Sequence, residues 1–146
     1  MFRFETEVDK ARRILLGQLL KDTNTEASSV LRALRGTPDE KELPLHVWVM
    51  DDKGGLAGGL TGRTWASWLH VDLLWVDAAH RGAGLGGQLL ARAEESARTE
   101  RSCAFSRVET WDFQAPDFYR KQGYEVVGEV PDYPPGVTEF ILAKRL

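Results

Sequence analysis

The sequence is short of several things, and each shortage narrows the reading. It holds one cysteine, Cys103, in 146 residues. It can therefore form no internal disulfide, and nothing points to an oxidising compartment. Cys103 lies between a charged stretch and an expected strand and reads as a packed small residue rather than a nucleophile. There is no basic excess: 19 Lys and Arg stand against 22 Asp and Glu, for a formal net charge of −3. A general binder of nucleic acid or of an anionic membrane would carry the opposite balance. No apolar run approaches the ~20 residues needed to span a bilayer. The opening MFRFETEVDK lacks a signal-peptide apolar core, so a cytoplasmic protein is expected. No Cys/His cluster has metal-ligand spacing, and no metal is expected.

What is present is an ordinary globular composition, with 42% hydrophobic and 28% charged residues. The length suits one domain, 1–146, with one core. Phe2 to Glu5 alternates apolar and charged, as a short edge strand would. Val8 to Lys21 turns helical, with Val8, Ala11, Leu15 and Leu19 on one face. Asp22 to Glu42 is polar and reads as loop with a helical turn near Ser28–Leu34. Three antiparallel strands are expected over Leu43–Asp51, Leu56–Trp65 and Ser67–Asp77, the first two joined by the DDKGG turn. A long helix then runs to about Arg101, with Leu85, Leu89, Ala93 and Ala97 as its apolar face. A strand over Ser106–Phe113, a short helix over Gln114–Gly123 and strands over Tyr124–Val130 and Val137–Leu142 complete the chain. Pro116 suits the first turn of that short helix and Gly123 its end. The order implies a mixed α/β sheet in one domain.

The glycine loop GAGLGG, Gly82 to Gly87, satisfies the dinucleotide pattern G-x-G-x-x-G, and Glu109 lies near the spacing of a ribose-binding acid. Two features argue against a dinucleotide fold. Asp77 to Arg81 intervene between the strand and the first glycine, and too few strand–helix units remain before Leu146. No Gly-Lys-Ser/Thr follows, which excludes a P-loop. The loop still has the makings of an anion site. Glycines let backbone N–H groups approach a ligand. The helix start adds unpaired N–H groups and a partial positive charge suited to a pyrophosphate. Arg81 adds a full charge at the rim.

The stretch LLWVDAAHRGAGLGGQLL resembles the acyl-CoA signature of the GNAT superfamily, the acetyl-CoA-dependent N-acetyltransferases. That signature is Arg or Gln, two residues, Gly, one residue, then Gly or Ala; here it falls on Arg81, Gly84 and Gly86. QAPDFYRKQGYEVVGEV resembles the family's later segment, through Ala115, Phe118, Tyr119, Gly123 and Tyr124. The resemblance runs from about Leu43 to the end. It implies an α/β (α+β) fold with a mixed, mostly antiparallel, splayed sheet flanked by helices. It also implies acetyl-CoA as co-substrate and direct attack by a primary amine of a small molecule or peptide. The loop Arg81, Gly82, Ala83, Gly84, Leu85, Gly86 and Gly87 would hold the CoA pyrophosphate. Leu74, Trp75 and Val76 would splay from the strand Val108–Trp111 and take the pantetheine arm. A backbone N–H near Val76 would stabilise the carbonyl oxygen. Dimerisation through Val137–Leu142 is a further implication, and a non-catalytic acyl-CoA sensor is the alternative.

Tyr119 matches the position from which a phenol would protonate the leaving thiolate; its reference pKa of about 10 keeps it protonated at neutral pH. The bland reading is packing against Phe118. His70 and Asp72 are two apart on a strand, share one face and could serve as the base. Equally, Asp72 could pair with an arginine while His70 packs, or water could carry the proton. Glu109 and Asp112 are the second pair to consider for the base, and with Trp111 they lie where the acceptor is expected. Most of Trp65, Trp68, Trp75 and Trp111 are expected in the core. One or two of them beside Asp72, Glu109 or Asp112 would suit a cationic or aromatic amine.

Overall fold

The computed structural model describes residues 1–146. Two compact units emerge, Met1–Thr37 and Pro38–Leu146. The first holds helix α1 (Lys10–Ala27) and the short helix α2 (Ser29–Leu34). The Asp9 side chain caps α1 by accepting from the Arg12 amide. Ser28 ends α1 and caps α2 by accepting from the Leu31 amide. That double use of Ser28 explains why α1 runs six residues beyond the expected Lys21, through a polar stretch of low helix propensity. The expected strand over Phe2–Glu5 is absent. Alternation alone does not make a strand, and these residues have no partner in any sheet.

The second unit is a six-stranded sheet in the order β1-β2-β3-β4-β6-β5. Its strands are β1 (Leu43–Met50), β2 (Leu56–Trp65), β3 (Trp68–Val76), β4 (Phe105–Trp111), β5 (Glu125–Val130) and β6 (Glu139–Arg145). All pairs are antiparallel except β3 with β4. Between those two lies α3 (Leu85–Arg101), the right length for a parallel crossover. Helix α4 (Pro116–Lys121) joins β4 to β5, with Pro116 in its first turn and Gly123 at φ +94° just past its end. The last strand extends past the expected Leu142 to Arg145. Its two edges are taken by β4 and β5, so β6 offers no free edge for pairing with another chain.

The core lies between one sheet face and α3. Leu60, Leu69, Val71, Val108 and Leu142 meet Leu89 and Leu90 there, all fully or almost fully buried. Ala93 and Ala97 are closed off from solvent as well, and their small side chains let α3 lie close to the sheet. Cys103 is packed in this core, and burial pushes its thiol pKa up. One buried polar network crosses it. Ser106 and Tyr124 hydroxyls are 2.7 Å apart, Tyr124 donates to Glu94 at 2.8 Å, and Lys144 pairs with Glu94 at 2.8 Å. Every member is satisfied, which a buried polar network needs in order to be stable. The tryptophans are not core residues. Trp48, Trp65 and Trp75 are exposed and Trp68 and Trp111 half-buried, the first four of them in rows on the sheet face away from α3.

Candidate active site

The sheet opens along one seam. β3 and β4 pair from Trp68 with Phe105 to Val71 with Val108, and there the ladder stops. β4 continues to Trp111 with β6 as its partner, and β3 continues to Val76 with β2. The β4-facing edge of Asp72–Val76 is thereby left without a strand partner. A β-bulge at Thr61/Gly62, opposite Asp72, bends β3 at the same level. The resulting cleft has a volume of about 680 Å³. Leu74, Trp75 and Val76 line one wall, and Phe113, Gln114, Ala115, Phe118 and Tyr119 the other. Arg81, Gly82, Gly84, Leu85, Gly86 and Gly87 form its floor, with His80 at the edge. Of the expected cofactor positions only Ala83 is not part of this lining.

The floor is built as an anion cradle. Gly82 and Gly84 have φ of +86° and +75°, a left-handed backbone that glycine adopts at little cost. Gly84 occupies the N-cap of α3 and brings no capping side chain. The first intrahelical bond runs from the Gln88 amide to the Gly84 carbonyl. The amides of Leu85, Gly86 and Gly87 therefore face the cleft region without an intrahelical acceptor. Such donors at a helix start make an anion site. A Cβ on Gly86 would come within 3.4 Å of the Phe118 ring, so this glycine also lets α3 and α4 approach. Arg81 does more than sit at the rim: its Nε donates to the Val76 carbonyl at 3.2 Å and ties the loop to the end of β3.

Tyr119 is buried and reaches the cleft between the rings of Phe118 and Tyr124. Burial pushes its phenol pKa up to about 12. The hydroxyl has no hydrogen-bond partner in the chain, unlike that of Tyr124. A protonated, unpartnered donor in a cleft wall is chemically able to give a proton to a leaving group.

The opposite sheet face carries a different arrangement. His70 Nε2 lies 2.7 Å from Glu109 Oε2, and His70 Nδ1 lies 2.9 Å from Arg63 Nη2. A guanidinium can only donate, so Nδ1 accepts and the ring proton sits on Nε2, pointing at Glu109. Arg63 also holds Asp72 and reaches Glu42 at 3.5 Å, while Arg107 binds Glu109 at 2.9 Å. Burial would push the Glu109 carboxyl up; the hydrogen bonds from His70 and Arg107 and the Arg107 charge outweigh it and hold it below its ordinary pKa. His70 and Asp72 do share a face, as their spacing requires. Asp72 takes the arginine, and both His70 nitrogens are occupied, which leaves no free lone pair for an incoming amine. Beside this cluster lies a pocket of about 290 Å³ lined by Glu42, Arg63, Trp65, Trp68, His70 and Arg107.

Of the expected acceptor residues, Glu109 belongs to that cluster. Trp111 stacks on Phe113 with ring centroids 5.6 Å apart, and its indole N–H is buried without a partner. Asp112 does other work: its backbone and carboxylate bond to Thr138 at 2.9 and 3.1 Å and close the loop before β6. The sequence reading passed over Gln114 and Arg63. Gln114 sits in the cleft wall and accepts from the Trp111 amide at 3.2 Å. Arg63 could have been found from the turn, since Trp65 pairs with Trp68 across only Ala66 and Ser67, which sets Arg63 opposite His70.

A splayed parallel strand pair, an uncapped helix start at its mouth and a phenol in its wall make one continuous cleft with an anion cradle at its floor. A model of the acetyltransferase (GNAT) domain family matches residues 44–126, and the chain belongs to that family. It is an acetyltransferase. It is 55% identical over 130 residues to a blasticidin-S acetyltransferase of Streptomyces morookaense, covering 87% of this chain and 96% of that one. It is 34% identical over 110 residues to an acetyltransferase of Agrobacterium fabrum, covering 75% of this chain and 78% of that one. Among solved structures, an acetyltransferase from Bacillus cereus superposes with a TM-score of 0.85 at 28% identity, covering 99% of this chain and 98% of that chain.

Proposed function

We propose that this protein transfers the acetyl group of acetyl-CoA to a primary amine of a small-molecule antibiotic of the blasticidin-S kind. The observation that carries the reading is the cleft: free amides at the start of α3, an unpaired edge of β3 and the protonated Tyr119 all converge on it. The likeness to the Streptomyces enzyme supports the choice of acceptor. Acetyl-CoA, when bound, supplies the activated acetyl group. The amides of Leu85, Gly86 and Gly87 hold its pyrophosphate, and Leu74–Val76 orient the pantetheine arm. The Tyr119 hydroxyl gives its proton to the departing thiolate sulfur. From the far side of the seam, Glu109 draws in the cationic amine: it is ionised, and its Oε2 and Oε1 are fixed by His70 and Arg107. Both His70 nitrogens are taken, so water takes the amine proton.

The experiment is release of free CoA from acetyl-CoA, measured across blasticidin S, polyamines, aminoglycosides, amino acids and short peptides. Acceleration by blasticidin S above the rest is the expected outcome. Acceleration by another class alone would overturn the acceptor. Acetyl-CoA binding with no acceleration by any member would favour an acyl-CoA sensor instead.

A further inference from the structure

Gln114 ends a tight turn that closes on Trp111. Its backbone amide donates to the Trp111 carbonyl at 3.0 Å. Its side chain clasps the same residue: Oε1 accepts from the Trp111 amide at 3.2 Å and from the Thr110 hydroxyl at 3.3 Å. A backbone N–H can only donate, so the oxygen of the side-chain amide must face Trp111 and the NH2 group the other way. That settles which end of the amide is free. Nε2 has no partner in the chain, and the side chain is exposed in the lining of the cleft.

A glutamine tied down at its oxygen is a prepared donor. A free glutamine side chain loses rotamer entropy when it binds, and this one has already lost much of it. The wall around it is otherwise poor in polar groups. Phe113, Gln114, Ala115, Phe118 and Tyr119 form it, and only Gln114 and Tyr119 have a side-chain donor. Across the cleft runs the stretch of β3 that has lost β4, Asp72–Val76. A strand edge offers donors and acceptors in alternation. The wall facing it offers one anchored amide N–H beside the Tyr119 phenol.

We propose that the Gln114 side-chain amide donates a hydrogen bond to an amide carbonyl of the pantetheine arm of acetyl-CoA. The proposal rests on acetyl-CoA as the co-substrate. A trans amide carries its N–H and its C=O on opposite sides. An arm amide that donates to the β3 edge therefore turns its carbonyl towards the facing wall, where Gln114 waits with a free N–H. A carbonyl that entered this cleft and met no donor would forfeit its water without return, and the anchored NH2 removes that penalty. Asp112, two residues earlier, is not available for the task, since its backbone and carboxylate are bound to Thr138. Gln114 is thus a binding residue for the arm, separate from the cradle beneath the pyrophosphate and from the Tyr119 hydroxyl.

The test is a calorimetric titration of the full-length protein with acetyl-CoA. ADP, which carries a pyrophosphate and no arm, is the second probe, with its Kd taken by competition. Gln114→Glu keeps an acceptor for Trp111 and Thr110 and loses the donor, whereas Gln114→Met loses both. The position is exposed, so both variants should keep the wild-type thermal transition; if Gln114→Met does not, Gln114→Glu alone carries the test. The acetyl-CoA Kd should rise about tenfold in Gln114→Met, the loss of one hydrogen bond, and further in Gln114→Glu, where acceptor faces acceptor. ADP should bind all three proteins alike. In 1H–15N spectra the Gln114 side-chain pair, identified by its absence from Gln114→Glu, should move on addition of acetyl-CoA and stay in place with ADP. An acetyl-CoA Kd unchanged in both variants, beside tight binding by wild type, overturns the role of Gln114 and leaves the co-substrate standing. An equal loss for ADP also overturns it, because Gln114 would then act through the shape of the loop. A wild type that binds no acetyl-CoA overturns the co-substrate itself.

Discussion

The two halves of β3 make the instructive contrast. From Trp68 to Val71 the strand is paired on both sides, and the polar side chains beside it are linked to one another, with the buried Nε of Arg107 the one group left unpaired. Arg63, His70, Asp72, Arg107 and Glu109 form a closed set of charges. From Leu73 to Val76 the strand has lost β4, and its surroundings are full of groups without partners. These are the first amides of α3, the Tyr119 hydroxyl and the buried indole N–H of Trp111. Chemistry needs open valences, and most of them lie on one side of the seam. The closed cluster looks more catalytic in the sequence, because His and Asp are the residue types of proton transfer, yet its geometry is that of a brace.

The contrast can be broken or sharpened by substitution, starting at the open end. Gly84→Val places a β-branched residue at φ +75° and disturbs the cradle, so acetyl-CoA binding should be lost in a calorimetric titration. Tyr119→Phe keeps the ring packing and removes the proton donor. Its kcat should fall about 100-fold with acetyl-CoA affinity unchanged. The raised phenol pKa also predicts no loss of rate through Tyr119 ionisation until pH approaches about 12. At the closed end the effects shrink and change kind. Glu109→Gln should raise the acceptor KM about tenfold, the loss of one charge-assisted contact, and leave acetyl-CoA binding alone.

The stability of that variant supplies the smallest and most specific signal. The Glu109 pKa is lower in the folded protein than its ordinary 4.5. Its contribution to stability is therefore present above that ordinary value and is lost as pH falls through the lower folded one. Wild type should exceed Glu109→Gln in thermal stability near neutrality, and the difference should vanish on acidification.

The glycine loop and the cleft were legible because their signals are local. A strand, a short connection, glycines at required positive φ and a helix follow one another within about twenty residues. The closed cluster was not, because it depends on register. His70 meets Glu109 only once β3 is set parallel to β4, and Arg63 faces His70 only because Ala66 and Ser67 form a two-residue turn without glycine. The strand expected at Phe2–Glu5 failed for a related reason, since a strand is defined by a partner that no local pattern reveals. The tryptophans read as core residues by type, whereas alternation along β1 and β2 sends Trp48 and Trp65 to the face away from α3, and the bulge at Thr61/Gly62 turns Trp75 to that same face.

The most direct test compares kcat and acceptor KM for Tyr119→Phe and His70→Gln side by side, with acetyl-CoA saturating. If the open cleft does the chemistry and the closed cluster positions Glu109, Tyr119→Phe loses kcat about 100-fold at nearly constant KM, while His70→Gln raises KM and keeps kcat within about threefold. The reverse pattern, a collapsed kcat in His70→Gln beside an active Tyr119→Phe, would contradict the account and return the proton transfer to His70.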